Sequence, residues 1–274
     1  MIVVTALHLG DEKGLPILVN IGAPGDTAGL LLAVAVEESE NIDLQLRRGI
    51  ETLLVNDCCA VVSQWAMSSE SLDLALMCPD SALALVERDN RFEVVGPILM
   101  NAEVLVTKKD RPILSIGFAQ GRIRHAEHVA STFKDSVAVS AMLPASLPYA
   151  YEKNVVDGVV VDFLTALTLN GNKTSLAGAE KHNISYVLVV RKSFRKSLAY
   201  TQLLTAIEKA TYKLAQPDEL SRVVTQYKNK KMGTKEIELW QKMQVRFVIP
   251  TSMLIASLKS RELNLQNTEN VVTN

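Results

Sequence analysis

Short apolar runs alternate along the chain with longer segments whose apolar residues recur at helical spacing. Residues 16–21, 74–77 and 159–161 are short and rich in branched side chains, which predicts buried strands. Residues 28–38 and 122–133 have the length and periodicity of helices. Strands that alternate with helices at this spacing predict an α/β fold built on parallel sheets with helices on both faces.

The same pattern predicts the remaining elements. Further strands are predicted at residues 42–46, 92–95, 103–106, 113–117, 137–140 and 184–190. Further helices are predicted at residues 64–69, 82–87, 147–154, 163–169, 198–215, 217–227 and 234–243.

One part of this pattern occurs twice. Residues 65–73 begin with Trp-Ala and end with Asp, and residues 149–157 repeat this layout 84 positions later with Tyr-Ala at the start. An apolar strand and a helical segment follow each copy without a gap, so Cys78 in the first corresponds to Asp162 in the second. The alternative is a chance alignment of small apolar residues. A real repeat predicts two similar Rossmann-like lobes joined by hinge strands.

The repeat also divides the chain. A charged break at residues 108–112, ended by Pro112, separates the two copies. We expect lobe one to comprise residues 1–107 together with the C-terminal helices from about residue 191 to residue 274, and lobe two to comprise residues 108–190. The hinge is then expected near residues 106–112 and 190–193.

Two such lobes predict a ligand cleft. Ligands of open α/β sheets bind outside the carboxyl ends of the strands, and pockets form preferentially between domains. We therefore expect the turns that follow strands to bind the ligand. In lobe one these are Gly22, Ala23, Pro24, Gly25, Asp26, Thr27, Cys58, Cys59, Cys78, Pro79, Asp80, Ser81 and Asn101. In lobe two they are Phe118, Ala119, Gln120, Met142 and Asp162. No catalytic residue, metal ligand or cofactor is predicted.

A glycine-bearing turn precedes the first helix of each lobe. In the first turn, Gly22 and Gly25 lie just before Asp26 and Thr27, either of which can cap the helix that follows. The backbone N–H groups at such a helix start favour an anionic or polar ligand group. A plain strand-to-helix turn is the alternative, because the turn matches neither a Walker loop nor a dinucleotide fingerprint.

The three cysteines are Cys58, Cys59 and Cys78. An odd count with two adjacent residues is a poor disulfide framework. The cysteines are then either small buried apolar residues or soft ligands with a metal or redox role.

The sequence around Cys78 resembles a known family. Gln64-Trp65-Ala66 followed by Leu-Asp-Leu-Ala-Leu-Met-Cys-Pro-Asp at residues 72–80 is similar to substrate-binding proteins of ABC importers with the type II periplasmic fold. The resemblance covers roughly residues 16–230. Residues 57–60 and 77–80 also resemble SaoB-type substrate-binding (seleno)proteins, which are linked to organometal transport.

The resemblance implies a function. The chain would be the ligand-binding component of an ABC-type uptake system, capturing a small solute by closure of the lobes. It would be a monomer without catalytic activity that delivers solute to an ABC permease. It would act outside the cytoplasm. Residues 1–8 lack a basic segment and a cleavage site, so we expect the targeting segment to be absent from this chain. A cytosolic location is the alternative.

Composition narrows the ligand classes. Net charge is −1 and no basic stripe is present, so we expect no nucleic-acid partner. Aromatic residues make up only 5%, which disfavours a sugar ligand because sugars stack on aromatic rings. The charge of the ligand stays open, since Arg122 and Arg124 would attract anions while Asp57, Asp80 and Asp162 would attract cations.

Two other functions remain as alternatives. One is an enzyme on the same fold, and the other is the ligand-sensing domain of a regulator. His125 and His128 share a helix face and could bind a metal. The simpler interpretation is a solvated helix that also carries Arg122, Arg124 and Glu127.

Overall fold

The computed structural model describes residues 2–10, 16–38, 43–47, 64, 67–69, 71–133, 136–177, 182–229 and 231–250. The strands of its first sheet are β1 (Ile2–Gly10), β2 (Pro16–Pro24), β3 (Asp43–Arg47), β4 (Leu74–Met77), β5 (Phe92–Met100), β11 (Ile184–Arg191) and β12 (Arg246–Phe247). Their order across the sheet is β12-β5-β11-β4-β2-β1-β3.

The second sheet has five described strands. They are β6 (Glu103–Thr107), β7 (Ser115–Ala119), β8 (Ala138–Met142), β9 (Gly158–Asp162) and β10 (Asn172–Ser175). Their order is β10-β6-β9-β7-β8.

Helices cover both sheets. They are α1 (Thr27–Glu37), α2 (Pro79–Arg88), α3 (Ile123–Phe133), α4 (Leu147–Glu152), α5 (Phe163–Ala166), α6 (Leu198–Leu214), α7 (Pro217–Lys228) and α8 (Thr234–Lys242). Two short 3₁₀ turns lie at Pro144–Ser146 and Phe194–Lys196. Among the described helices, none combines the length and the apolar character that a bilayer span requires.

Burial explains why the central strands are apolar throughout. All four residues of β4 are buried, as are the first seven residues of β11. Helix α1 is apolar on nearly every side because it packs between β2 and the helices α6 and α7. Phe163 at the start of α5 packs edge-on against Trp240 of α8, with ring centroids 5.1 Å apart. This contact joins the second sheet to the C-terminal helices.

The two sheets share a pattern of strands. In the first, β2 pairs parallel with β4, and β11 pairs antiparallel with β4 and β5. In the second, β7 pairs parallel with β9, and β6 pairs antiparallel with β9 and β10. The prediction of two similar α/β lobes is confirmed. The expectation of parallel sheets holds only for the β2–β4, β7–β8 and β7–β9 pairs. Both sheets are mixed, because β6 and β11 run antiparallel to their neighbours and β1 pairs antiparallel with β2 and β3.

Two aspartates show the repeat at the level of single hydrogen bonds. Asp73 donates its N–H to the Asn20 carbonyl (2.8 Å) and accepts the Asn20 N–H at Oδ2 (2.9 Å). Asp157 donates its N–H to the Ser115 carbonyl (2.9 Å) and accepts the Ser115 N–H at Oδ2 (3.0 Å). Each aspartate thereby ties the loop before β4 or β9 to the neighbouring strand, which supports the 84-residue repeat.

The chain changes sheet twice. Strand β6 belongs to the second sheet and β11 to the first, so the crossings lie between β5 and β6 and between β10 and β11. The expected divisions after residues 107 and 190 lie close to the ends of β6 and β11 and stay a prediction. Apart from Glu103 at the start of β6 and Ser185 near the start of β11, both strands are apolar near the crossing, so the sequence pattern does not mark which sheet they join.

Asn101 joins the two crossings. It is fully buried and has a positive φ of 60°. Its N–H donates to the Asn183 carbonyl (2.8 Å), and its Oδ1 accepts the Asn183 N–H (2.8 Å). Its Nδ2 also donates to the carbonyl of Gln244 (3.0 Å). The Asn101 side chain thus bonds the other crossing segment, at Asn183, and the residues just before β12, at Gln244.

Several elements differ from the sequence prediction. Strand β5 continues through Gly96 and Pro97 to Met100, and its register against β11 shifts near Pro97, which lacks an N–H to donate. Strands β1, β10 and β12 were not predicted, and the helix expected at residues 163–169 ends at Ala166. The Trp-Ala pair of the first repeat copy lies outside the described residues.

Candidate ligand site between the lobes

The start of α1 receives a side chain from the opposite lobe. The Thr27 N–H donates to Oδ1 of Asp162 (3.2 Å), and the Leu164 N–H lies 3.4 Å from the Thr27 hydroxyl. Oδ2 of Asp162 also accepts the Leu164 N–H (3.0 Å) and so caps α5. Asp162 therefore binds the start of its own helix and the start of α1 at once.

Asp26 lies one residue before α1 and reaches in a different direction. Its Oδ1 accepts the Ala28 N–H (2.9 Å), and its Oδ2 accepts the hydroxyl of Tyr186 on β11. Burial raises the pKa of Asp26, and the Tyr186 hydrogen bond offsets only part of that effect. Burial followed by the charge of Asp26 raises the pKa of Asp162 to about 7.

Arg122 bridges the lobes from the turn before α3. Its Nη1 pairs with Oε1 of Glu103 in its own lobe (2.7 Å), and its Nη2 donates to the Tyr186 hydroxyl in the other (2.8 Å). The guanidinium also lies 5.0 Å from the centroid of the Tyr186 ring. Burial opposes its charge, but Cys78, Tyr186 and Glu103 hold the pKa of Arg122 well above its ordinary value.

Glu103 is a buried carboxylate at the crossing strand. Oε1 lies 2.9 Å from Nε2 of His125, and Oε2 accepts the side-chain amide of Asn183. Burial alone raises the pKa of Glu103, but His125, then Arg122 and Asn183, outweigh it and the pKa falls to about 2. A buried carboxylate with three polar partners is stable in its ionised form.

The first turn of α3 is not solvated as expected. His125 is only 5% exposed, and its Nδ1 has no hydrogen-bond partner among the described residues. Arg122 is held between Glu103 and Tyr186. The interpretation of this face as a solvated helix surface was therefore wrong for these two residues, because the second lobe turns the start of α3 towards the first.

The first turn of α2 faces α3. Nε of Arg124 lies 3.2 Å from Oδ1 of Asp80 across the lobes, while its Nη2 is buried without a partner in the described part of the chain. Burial raises the pKa of Asp80, and Arg124 offsets part of the effect. Cys78 at the start of α2 donates its thiol to the Ser81 hydroxyl (3.1 Å) and makes no side-chain cap.

The remaining predicted site residues fall into three groups. Gly22 to Thr27, Cys78 to Ser81, Phe118 to Gln120, Met142 and Asp162 lie at strand ends or in the turns that follow them. Asn101 lies at the crossing, where its side chain ties the two lobes together. Cys58 and Cys59 lie outside the described residues. That these positions contact a ligand stays a prediction.

Sequence reasoning missed Glu103, Asn183 and Tyr186 as members of this cluster. The sequence analysis expected site residues in the turns that follow strands. These three residues instead lie on or beside a crossing strand. One signal was available: Glu103 opens an otherwise apolar strand, and a charge in a buried strand requires a partner. Its partners come from distant segments, which the sequence pattern does not reveal.

A cavity of about 180 Å³ lies beside this cluster, between α5 and the end of α7. Its lining residues are Leu164, Thr165, Leu167, Thr168, Val224, Lys228, Lys231 and Met232. A second cavity of about 350 Å³ lies among α6, α7, α8 and β12, away from the cluster.

Solved structures share the fold of this chain. A ligand-binding component of an ABC-type import system from Staphylococcus aureus, solved with zinc bound, is 14% identical over 92% of this chain and 91% of that chain, with a TM-score of 0.68. The chain has the fold of ABC-import binding proteins. The type II periplasmic fold predicted from the sequence is thereby confirmed.

Two further structures agree. The alkanesulfonate-binding protein SsuA from Xanthomonas axonopodis pv. citri, bound to MOPS, is 16% identical over 77% of this chain and 80% of that chain, with a TM-score of 0.58. Protein AF1704 from Archaeoglobus fulgidus is 12% identical over 92% and 97%, with a TM-score of 0.60. No family model and no curated protein sequence matches the chain.

Proposed function

We propose that the chain is the solute-binding component of an ABC-type uptake system, which captures a small solute between its lobes. The observation that carries this proposal is the charged cluster between the lobes, on a fold found in such components. Arg122 and Arg124 of one lobe meet Tyr186 and Asp80 of the other. Groups that meet only when the lobes close are suited to sense a solute held between them.

We place the solute between the first turns of α2 and α3. The Nη2 donor of Arg124 is buried without a partner in the described part of the chain, and a buried donor is costly unless an acceptor satisfies it. The start of α2 has no side-chain cap, so its backbone N–H groups favour an acceptor too. We therefore propose a solute with a carboxylate or sulfonate group. The MOPS-bound relative supports the sulfonate case.

A metal ion is a different candidate solute, because the Staphylococcus aureus protein was solved with zinc bound. Within the described ranges, His, Cys, Asp and Glu form no group of three or more that could hold a metal. The anionic solute is therefore the proposal that the described residues support.

The remaining features follow from this role. We propose that the chain acts outside the cytoplasm as a monomer and passes its solute to a membrane permease. We place the hinge at the two crossings, where Asn101 and Asn183 hold each other. Lobe one then comprises the first sheet with α6 to α8, and lobe two the second sheet.

Thermal melting with candidate solutes tests the proposal. A solute that binds only the folded chain adds to the free energy of unfolding and so raises the melting temperature. For a chain of this size the rise is roughly 2–4 °C for each kcal/mol added. The panel contains alkanesulfonates, amino acids and zinc. We expect a shift with a sulfonate or carboxylate, and a weaker shift in Arg124→Gln.

Arg111→Gln is the matched control. Arg111 pairs with Asp157 inside the second lobe (2.7 Å), so its loss leaves the interface intact. Equal loss of binding in both variants would contradict the placement of the solute at Arg124. Absence of a shift with the whole panel, or turnover of a solute in the same mixture, would contradict the binding role.

Cys78, the cysteine that the structure describes, does not support the enzyme alternative. A cysteine nucleophile needs a base within hydrogen-bonding reach. The Cys78 thiol donates to Ser81, and the nearest partner of His125 in the cluster is Glu103. The described residues therefore favour binding over catalysis at this site.

A further inference from the structure

We propose that Asp26 and Asp162 form a proton-controlled latch, which holds the lobes closed without a solute when the pair carries a proton. The inference rests on the closing motion of the proposed function. It adds a regulation of that site by pH, and it is tested without any solute.

The latch starts from a contact that exists only while the lobes are closed. Asp162 of the second lobe accepts the Thr27 N–H at the first residue of α1 in the other lobe (3.2 Å). The Thr27 hydroxyl in turn faces the Leu164 N–H (3.4 Å). A carboxyl group from one lobe thereby occupies the amide-lined start of a helix in the other, and opening must break this contact.

Closure also places a second carboxyl group beside the first. Asp26 precedes Thr27 and accepts the Ala28 N–H at the same helix start (2.9 Å). The charge of Asp26 acts on Asp162, so two carboxylates there repel each other. One proton shared between them removes the repulsion, as it does in other close carboxyl pairs.

The other charged groups around the pair do not neutralise both carboxylates. The exposed Lys228 amine donates to the Gly25 carbonyl, and its charge acts on both aspartates. The Arg122 guanidinium acts on Asp26, but it is already paired with Glu103.

Two tyrosines complete the surroundings of the pair. The Tyr186 hydroxyl donates to Asp26. The Tyr227 hydroxyl is buried near both carboxyl groups, and burial together with their charges raises its pKa, so it stays neutral. The two aspartates therefore face two cations: the exposed Lys228 amine and the buried Arg122 guanidinium, which also pairs with Glu103.

The sign of the pH effect follows from these contacts. In the open form, Asp162 faces water and its pKa lies near 3.9, the usual value for aspartate. In the closed form its pKa is about 7, because of burial and the charge of Asp26. Closing therefore takes up a proton. The latch is at full strength below about pH 4 and is lost as the pH rises through 7.

Small-angle X-ray scattering of the solute-free chain from pH 5 to pH 8 tests the latch. One proton taken up on closing predicts that the ratio of closed to open molecules falls on the order of 10- to 100-fold over this range. The radius of gyration therefore rises with pH. Asp162→Asn, which cannot titrate, is expected to have a radius that hardly changes. Asp26→Asn is expected to shift the midpoint to lower pH.

Asp89→Asn is the matched control, because Asp89 pairs with Arg91 inside the first lobe (2.7 Å). It is expected to keep the wild-type pH dependence. A constant radius in the wild type, a wild-type slope in Asp162→Asn, or loss of the slope in Asp89→Asn would each overturn the latch. Circular dichroism at each pH confirms that the variants are folded. If the latch fails while solutes still raise the melting temperature, the proposed binding function stands.

Discussion

Cys78 and Asp162 adopt the same backbone conformation at the starts of their helices, with φ and ψ of −65° and 151° for Cys78 and −63° and 151° for Asp162. They are equivalent residues of the two lobes, 84 positions apart. Their side chains act differently. Asp162 caps α5 through the Leu164 N–H, whereas Cys78 makes no cap and donates to Ser81. One lobe therefore presents a helix start whose backbone donors are not capped by a side chain.

Cys78→Ser tests the missing cap. A serine at a helix start accepts a backbone N–H from the first turn, which stabilises a protein by about 0.5–2 kcal/mol relative to alanine. We expect Cys78→Ser to be more stable than Cys78→Ala by about 1 kcal/mol in urea denaturation. Equal stability of the two variants would show that the start of α2 has no room for a cap. If the helix start binds the solute, the serine also weakens binding by competing for the same donors.

The sequence predicted the fold more completely than the site. The repeat rests on local apolar spacing and on aspartates whose partners are adjacent strands, so Asp73 and Asp157 could be aligned without a structure. Arg122 was recognised as a charge, but its partners Glu103 and Tyr186 come from separate segments. Such contacts depend on how the lobes meet. Local spacing carries no information about that geometry.

Asp157→Asn is expected to destabilise the chain at neutral pH and to have little effect in acid. Burial alone raises the pKa of Asp157, but hydrogen bonds from Leu114 and Ser115 and the charge of Arg111 outweigh it and lower the pKa. The ionised carboxylate thus stabilises the folded chain above about pH 3.9, and this contribution is lost as the pH falls through the lowered pKa. We expect a loss of about 1–3 kcal/mol at pH 7 in chemical denaturation.

The equivalent Asp73→Asn provides the contrast. Burial raises the pKa of Asp73, and the Asn20 N–H and Arg191 offset only part of that effect. Its ionised form therefore adds less to stability, and the asparagine variant is expected to lose less at pH 7. If Asp73→Asn loses more stability at pH 7 than Asp157→Asn, the raised pKa of Asp73 and the lowered pKa of Asp157 are contradicted.

Glu103→Gln is expected to be among the most destabilising single changes in the interface. The substitution leaves the buried Arg122 guanidinium without its carboxylate, which costs about 3–5 kcal/mol when one partner of a buried pair is removed. The pKa of Glu103 is about 2 in the folded chain. It is near 4.3 in an unfolded chain, so the contribution is present above about pH 4 and is lost as the pH falls towards 2.

Denaturation at several pH values checks this expectation. Arg122→Met combined with Glu103→Gln removes both charges and is expected to recover part of the stability lost in Glu103→Gln alone. A double variant less stable than the sum of both single losses would show that the pair does not act as one unit.

Asn101→Gly and Asn101→Ala separate the backbone strain at the crossing from its hydrogen bonds. Asn101 has a φ of 60°, which glycine adopts freely and alanine adopts at a cost of roughly 1–2 kcal/mol. Both variants lose the bonds to Asn183 and Gln244. We expect the wild type to be the most stable in urea denaturation, followed by Asn101→Gly and then Asn101→Ala. Because the same bonds join the two crossings, both variants are also expected to show a larger radius of gyration at pH 5 than the wild type. An unchanged radius in both would place the hinge elsewhere than at Asn101.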